Sequence, residues 1–257
     1  HLGFPVGGIL GGAIAAQLIP IYGWESIFIA GGTLTLIMMP ILLVGLPESL
    51  QYLGIARTDK ANQQAEKICT QIGIDWSSIE HRQPPANERG AAPLLRAPWL
   101  KPGIALWSCF FCGYLTLYFL INWIPTILSA AGQSSDSAIG AGIALNLGGG
   151  IGMLVLGFIS ARRPIKPLIS LFFVVAAVLM SALGLIELLP SQLIALTTIT
   201  GFFGLGGLIG LYSVAARLYT DSTRGSGVGL AIGAGRFGAI LGPVVGGILI
   251  GLEWQMG

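Results

Sequence analysis

Seven long apolar runs constrain the fold of this chain more than any other feature. Each approaches or exceeds the roughly 20 apolar residues that cross the roughly 30 Å hydrocarbon layer of a membrane as a helix. Charged residues make up only 9% of the sequence, against about 25% in soluble domains. Alternation of the β-barrel kind is absent, and a backbone in lipid must satisfy its own polar groups. We therefore predict an all-α membrane protein with seven transmembrane helices, at about 3–21, 26–46, 102–125, 138–160, 165–186, 190–213 and 226–251.

The distribution of basic residues predicts the orientation of the chain. Of the 13 lysines and arginines, all but Arg236 fall in three connecting segments, 47–101, 162–166 and 217–224. The connections that alternate with these segments contain none. Because cytoplasmic loops of membrane proteins carry the excess of Lys and Arg, His1 is predicted on the cytoplasmic side and Gly257 on the outer side.

The longest connection predicts a boundary between two helical bundles. Residues 50–98 are polar and contain several prolines, which favour an extended linker. A short solvated helix is predicted within them at about 58–72. The chain opens on His1 without an initiator methionine and enters a span at once, so we expect a fragment of a longer protein.

One positive charge lies inside an apolar run. The last run, from Arg224 to Gly251, is rich in glycine and contains Arg236 near its middle. A charged side chain at the bilayer centre costs about 2.5–3.5 kcal/mol on insertion scales, so we expect it to face the bundle interior or a wet cavity. Two interpretations stay open. Arg236 binds an anionic substrate or a coupling carboxylate, or it forms a structural pair with another helix or snorkels to the interface.

Polar side chains in the third and fourth spans are the other candidates for substrate binding. Tyr114, Tyr118 and Asn122 are spaced four residues apart, which places them on one face of a helix. Asn146 lies near the centre of the fourth span. Each could instead satisfy its hydrogen bonds within the helix packing, and both interpretations are kept. The third span is predicted to end at Pro125.

Glycines predict where helices approach each other closely. The fifth and sixth spans contain no candidate ligand. We expect the fifth to face lipid and the sixth, with its glycines, to lie in the bundle interior. The glycines on which these expectations depend are the pairs Gly7/Gly11 and Gly8/Gly12 in the first span, Gly148, Gly149, Gly150 and Gly152 in the fourth, and Gly204, Gly206, Gly207 and Gly210 in the sixth.

Several other classes of site are not expected. The GxGxxG spacing at Gly233 to Gly238 lacks the preceding strand of a dinucleotide fold, and it lies inside an apolar run. Cys109 and Cys112 also lie inside a span, with no second pair of cysteines for a zinc site. We therefore predict no cofactor, no metal, no nucleic-acid partner and no enzymatic activity.

Four stretches of the sequence resemble the major facilitator superfamily, and more closely its aromatic acid:proton symporter branch. They are distributed over nearly the whole chain. The stretches are Pro47-Glu48-Ser49 with Tyr52-Leu53, Asn122-Trp123-Ile124-Pro125-Thr126, Ala216-Arg217-Leu218-Tyr219, and Arg224-Gly-Ser-Gly-Val-Gly leading to Gly235-Arg236-Phe-Gly-Ala-Ile-Leu-Gly-Pro243.

The resemblance implies a partial bundle, helices five to eleven of a twelve-helix transporter. Residues 1–46 would be the last two helices of the N-terminal bundle, 47–101 the central cytoplasmic loop, and 102–257 the first five helices of the C-terminal bundle. It also implies alternating access driven by protons, with coupling residues on helices absent from this chain. Arg236, Tyr114, Tyr118, Asn122 and Asn146 would line the C-terminal side of the cavity.

The predicted function is secondary transport of a small organic anion, an aromatic carboxylate, with proton symport. The full-length protein is expected to be a monomer that crosses the inner (cytoplasmic) membrane several times. Two alternatives stay open, which are a transporter of sugars or other neutral metabolites and an inactive transporter fragment. A retinal protein is disfavoured because no span contains a lysine for a Schiff base.

Overall fold

The computed structural model describes residues 1–56, 58–76, 90–130, 135–185, 189–220 and 222–251. The rest of the chain, including residues 77–89 of the predicted central loop, lies outside the described residues. Within the described ranges the protein is helical, with a short 3₁₀ helix at Ala92–Leu95. The α-helices are α1 (Gly3–Tyr22), α2 (Glu25–Gly45), α3 (Leu50–Ala56), α4 (Asp59–Ile72), α5 (Leu100–Ala130), α6 (Ser135–Ser160), α7 (Ile165–Leu185), α8 (Pro190–Leu218) and α9 (Arg224–Gly251).

Seven of these helices are long and apolar enough to cross a membrane: α1, α2 and α5 to α9. The prediction of an all-α membrane protein with seven transmembrane helices is therefore confirmed. Two helix ends lie five residues beyond the prediction. Helix α8 continues to Leu218, and α5 continues through Pro125 to Ala130. Proline lacks the N–H that would bond to the Ile121 carbonyl, and transmembrane helices tolerate this loss because neighbouring groups and local adjustments satisfy the backbone.

The core lies among α5, α6, α8 and α9, which pack as two close pairs. In the α6–α8 pair, a Cβ added at Gly148 or Gly152 would lie about 2 Å from a carbonyl oxygen of α8, so only glycine permits this approach. In the α5–α9 pair, a Cβ at Gly238 would lie 2.1 Å from the Phe111 carbonyl oxygen. The expectation that the fourth-span glycines allow close contact is confirmed.

The remaining long helices lie at the periphery of this core. Helix α7 packs mainly on α8, and a smaller share of it is buried than of α8, as expected for a lipid-facing fifth span and an interior sixth span. Helix α1 packs on α6 through Gly8 and Gly12, whereas Gly7 and Gly11 face open space. Helix α2 packs on α1 and has no buried residue.

A small separate cluster forms between α3 and α4. The Thr58 hydroxyl accepts a hydrogen bond from the Ala61 backbone nitrogen at 3.2 Å and caps α4. Helix α4 ends at Gly73, which has a φ of 74° that favours glycine. The predicted helix at 58–72 is confirmed, but one face of α4 is buried against Leu53 and Trp76.

Candidate functional site

Arg236 contacts two tyrosines of α5. Its Nη1 atom donates a hydrogen bond to the Tyr118 hydroxyl at 3.2 Å. Its Cζ atom lies 5.6 Å from the centroid of the Tyr114 ring, within the range of a cation–π contact. Within the described residues, no carboxylate forms an ion pair with Arg236, and the side chain is exposed. The guanidinium is thus held by neutral aromatic partners and keeps its charge available.

The sequence places these groups together through helix periodicity and one glycine. Tyr114 and Tyr118 are four residues apart on α5, and their rings stack at 6.0 Å with an interplanar angle of 16°. On α9, a Cβ at Gly235 would lie 2.6 Å from the Tyr114 ring. Glycine at this position therefore lets α9 approach until Arg236 reaches both rings.

A third tyrosine, Tyr212 on α8, extends the cluster. Its hydroxyl forms a hydrogen bond with the Tyr114 hydroxyl. Its ring meets Phe110 edge-on at 5.0 Å, and the His1 ring lies 4.3 Å away. Arg236, Tyr118, Tyr114 and Tyr212 therefore form a continuous chain of side chains across α9, α5 and α8, which we call the Arg236 cluster.

Sequence analysis missed Tyr212. It lies 98 residues from Tyr114, and helical spacing relates only residues of one helix. The only sequence signal was a lone tyrosine near the cytoplasmic end of a span otherwise without polar candidates, and that signal does not identify a partner. Only the packing of α5 against α8 brings the two hydroxyls together.

The two predicted asparagines differ from the tyrosines in their contacts. Asn122 is exposed one turn beyond Tyr118, and its Nδ2 atom donates to the Tyr118 carbonyl of its own helix at 2.8 Å. Asn146 donates to the Gly142 carbonyl at 2.9 Å, also within its own helix. Asn146 also packs against α1, since a Cβ at Gly8 would lie 2.6 Å from its side-chain carbon. Both side chains thus bond to backbone, and Asn146 lies at a helix interface.

The Arg236 cluster can bind an aromatic anion by two complementary contacts. A guanidinium has five N–H donors in a planar fork and binds carboxylates bidentately. One of these donors is directed at Tyr118, which leaves others for a ligand. Beside this charge, Tyr118 is partly exposed and offers part of its ring, whereas the Tyr114 ring that stacks on it is buried. Aromatic groups pair in offset or edge-to-face arrangements.

Two cavities of the described part are lined by other residues. One, of about 360 Å³, lies among α5, α6, α7 and α8. The other, of about 580 Å³, is a more open groove between α5 and α9 that includes Trp107 and Phe237. None of the five predicted site residues lines either cavity. Within the Arg236 cluster, Arg236 is exposed, Tyr118 and Tyr212 are half-buried, and Tyr114 is buried.

Comparison with known proteins identifies the family. The model of the Major Facilitator Superfamily matches residues 1–191. The chain is 32% identical to a gallate transporter of Pseudomonas putida, over 97% of this chain and 56% of that protein. It is also 32% identical to a 4-hydroxybenzoate transporter of the same organism, over 98% and 57% of the two chains.

A further relative is the 3-(3-hydroxy-phenyl)propionate transporter of Escherichia coli, which is 30% identical over 98% of this chain and 55% of that protein. The chain thus spans a little over half the length of these curated relatives, and all three are named as transporters. The family match covers five of the seven long helices, α1, α2 and α5 to α7, and ends at the start of α8. The chain therefore belongs to the Major Facilitator Superfamily, as the sequence motifs predicted.

Proposed function

We propose that the full-length protein carries small aromatic carboxylates across the inner membrane by alternating access, with protons moving in the same direction. The observation that carries the proposal is the Arg236 guanidinium, held near the middle of α9 beside two stacked tyrosine rings. At 1.5 Å per residue, Arg236 lies about 18 Å from the start of α9, well inside the membrane. A mid-membrane cation without an acidic partner in the described residues suits an anionic solute.

The aromatic part of the proposed substrate rests on two supports. Tyr118 is partly exposed and provides ring surface next to the charge, so a ring and a carboxylate on one solute could be bound together. The relatives are named for gallate, 4-hydroxybenzoate and 3-(3-hydroxy-phenyl)propionate, which share an aromatic ring and a carboxylate. We extend this substrate class to the present protein.

We propose that the two helical bundles contribute different residues to transport. Residues 1–46 belong to the first bundle, 47–101 to the central cytoplasmic loop and 102–257 to the second bundle, which contributes Arg236 and the tyrosines. Asn122 is proposed to contact the solute from the same face of α5. Asn146, which packs against Gly8 at the α1–α6 interface, is proposed to meet the solute path when the bundles move past each other. We propose that the complete transporter works as a monomer.

Uptake by the full-length protein in liposomes tests the proposal. With an inward proton gradient, labelled 4-hydroxybenzoate should accumulate, and a protonophore should abolish the accumulation. Unlabelled benzoate should compete with it, whereas glucose should not. Transport of glucose with no transport of aromatic acids would instead support the alternative, a carrier of neutral metabolites. If the protonophore did not affect accumulation, proton symport would be contradicted, but the proposed substrate class would not.

A further inference from the structure

Tyr118 connects two polar side chains that differ in their hydrogen-bonding capacity. Arg236 donates to the hydroxyl of Tyr118, and Asn122 donates to the backbone carbonyl of the same residue. Arg236 and Asn122 therefore lie at opposite ends of Tyr118, with the Tyr118 ring between them. At 1.5 Å per residue, Asn122 lies about 6 Å further along α5 than Tyr118, on the same helix face.

The end at Arg236 presents hydrogen-bond donors. A guanidinium has N–H donors and no acceptor, so the Tyr118 hydroxyl accepts from Arg236 and keeps its own hydrogen for another acceptor. Among the residues that the structure describes, no group accepts that hydrogen. A carboxylate has only acceptors, and it can bond to the guanidinium and to the Tyr118 hydroxyl together.

The end at Asn122 presents both an acceptor and a donor. The Asn122 Nδ2 atom lies 2.8 Å from the Tyr118 carbonyl oxygen. Because that oxygen only accepts, the amide nitrogen must face it, and this fixes the orientation of the amide. The Oδ1 atom then has no hydrogen-bond partner within the described ranges, one Nδ2 hydrogen is unused, and the side chain is exposed. A hydroxyl group both donates and accepts and matches this amide, whereas a ring C–H does not.

We propose that Asn122 selects aromatic carboxylates that carry a hydroxyl on the ring opposite the carboxylate. The inference rests on the proposed function, because it takes Arg236 as the site of the carboxylate. Tyr114 stacks on the Tyr118 ring, so the solute ring lies along the part of the Tyr118 ring that stays exposed. A 4-hydroxybenzoate ion is itself a phenol, similar in length to the Tyr118 side chain. With its carboxylate at Arg236, its hydroxyl reaches the Asn122 amide.

A comparison of three acids in the wild type tests this selection without any variant. A neutral hydrogen bond changes affinity by about two- to tenfold. In proteoliposomes of the full-length protein, the KM for benzoate and for 4-fluorobenzoate should therefore exceed that for 4-hydroxybenzoate by about this factor. Fluorine is close to a hydroxyl in size but donates no hydrogen bond, so 4-fluorobenzoate separates hydrogen bonding from the fit of the ring.

Replacing the amide tests the residue itself. Asn122→Leu keeps a side chain of similar size and removes its polar atoms. The ratio of the benzoate KM to the 4-hydroxybenzoate KM should fall toward one, and this ratio does not depend on a general loss of transport. Thr126→Val is the matched control, because Thr126 is also exposed one turn further along α5 and its hydroxyl donates to the backbone of its own helix. Thr126→Val should keep the wild-type ratio.

The outcomes separate this inference from the proposed function. Equal KM values for the three acids in the wild type would overturn the inference, and so would a ratio that Asn122→Leu leaves unchanged. Loss of the ratio in Thr126→Val as well would also overturn it, since the preference would then not depend on the amide. If the wild type took up none of the three acids, the proposed function would fail, and the inference with it.

Discussion

At the scale of single residues, the position of Arg236 depends on neutral partners. The Tyr118 hydroxyl and the Tyr114 ring hold the guanidinium without neutralising its charge. An ion pair with a buried carboxylate would have neutralised that charge. This arrangement favours a role in binding over a purely structural ion pair. The sequence alone left both interpretations open, because it does not show which groups of α5 face α9.

Replacing Arg236 by lysine should separate these roles. Arg236→Lys keeps the charge but loses the planar fork that binds a carboxylate bidentately. A hydrogen bond to a charged group is worth about 1.5–3 kcal/mol, and about 1.4 kcal/mol is tenfold in affinity. We expect KM for 4-hydroxybenzoate uptake to rise at least tenfold in proteoliposomes, with little change in the melting temperature. Uptake indistinguishable from the wild type would exclude Arg236 from substrate binding.

Tyr212 should act through Tyr114. Tyr212→Phe removes the hydroxyl that bonds to Tyr114 and keeps the ring that meets Phe110. A neutral hydrogen bond contributes about 0.5–1.5 kcal/mol, so we expect KM to rise about two- to tenfold while the maximal rate stays the same. The control is Tyr52→Phe, at an exposed position on α3. A changed maximal rate with constant KM would contradict a positioning role for Tyr212.

At the scale of helices, glycine spacing determines which faces meet. Gly238 and Gly242 are four residues apart on α9, and both lie against the α5 backbone. The sequence indicated that such glycines allow close contact, and the α6–α8 pair confirms it for Gly148 and Gly152. The sequence could not assign the contact on α9, because α9 has glycines on several faces and their neighbours come from distant parts of the chain.

Alanine at two glycine positions of α9 should have different effects on thermal stability. At Gly238 a new Cβ would lie 2.1 Å from a carbonyl oxygen, and overpacking typically costs about 1–3 kcal/mol. At Gly233 a new Cβ meets no atom within 4 Å, and alanine favours a helix by about 0.5–1 kcal/mol over glycine. Thermal unfolding of the full-length protein in detergent should show Gly238→Ala less stable, and Gly233→Ala equal or more stable. Equal melting temperatures for the two variants would show that α5 and α9 do not pack this closely.

At the scale of the whole molecule, hydropathy predicted the number of spans, because burial in lipid leaves few ways to satisfy a backbone. It predicted helix ends less well, as α5 and α8 each continue five residues beyond the expected end. Apolarity declines at the membrane surface while helical hydrogen bonding continues. The packing order, with α6 against α8 and α5 against α9, depends on tertiary contacts that no local pattern encodes.

The distribution of lysines and arginines among the connecting segments predicts the orientation of the entire bundle in the membrane. In a cysteine-free variant lacking Cys69, Cys109 and Cys112, a single cysteine at Glu25 or Ala161 reports the side of the membrane. Both positions are exposed at the ends of long helices, and Ala161 adjoins two arginines. A membrane-impermeant maleimide should label Glu25→Cys in intact cells that express the full-length protein, and Ala161→Cys only after permeabilisation. The opposite result would reverse the orientation of all seven spans, and the segments 47–101, 162–166 and 217–224 would then lie on the outer side.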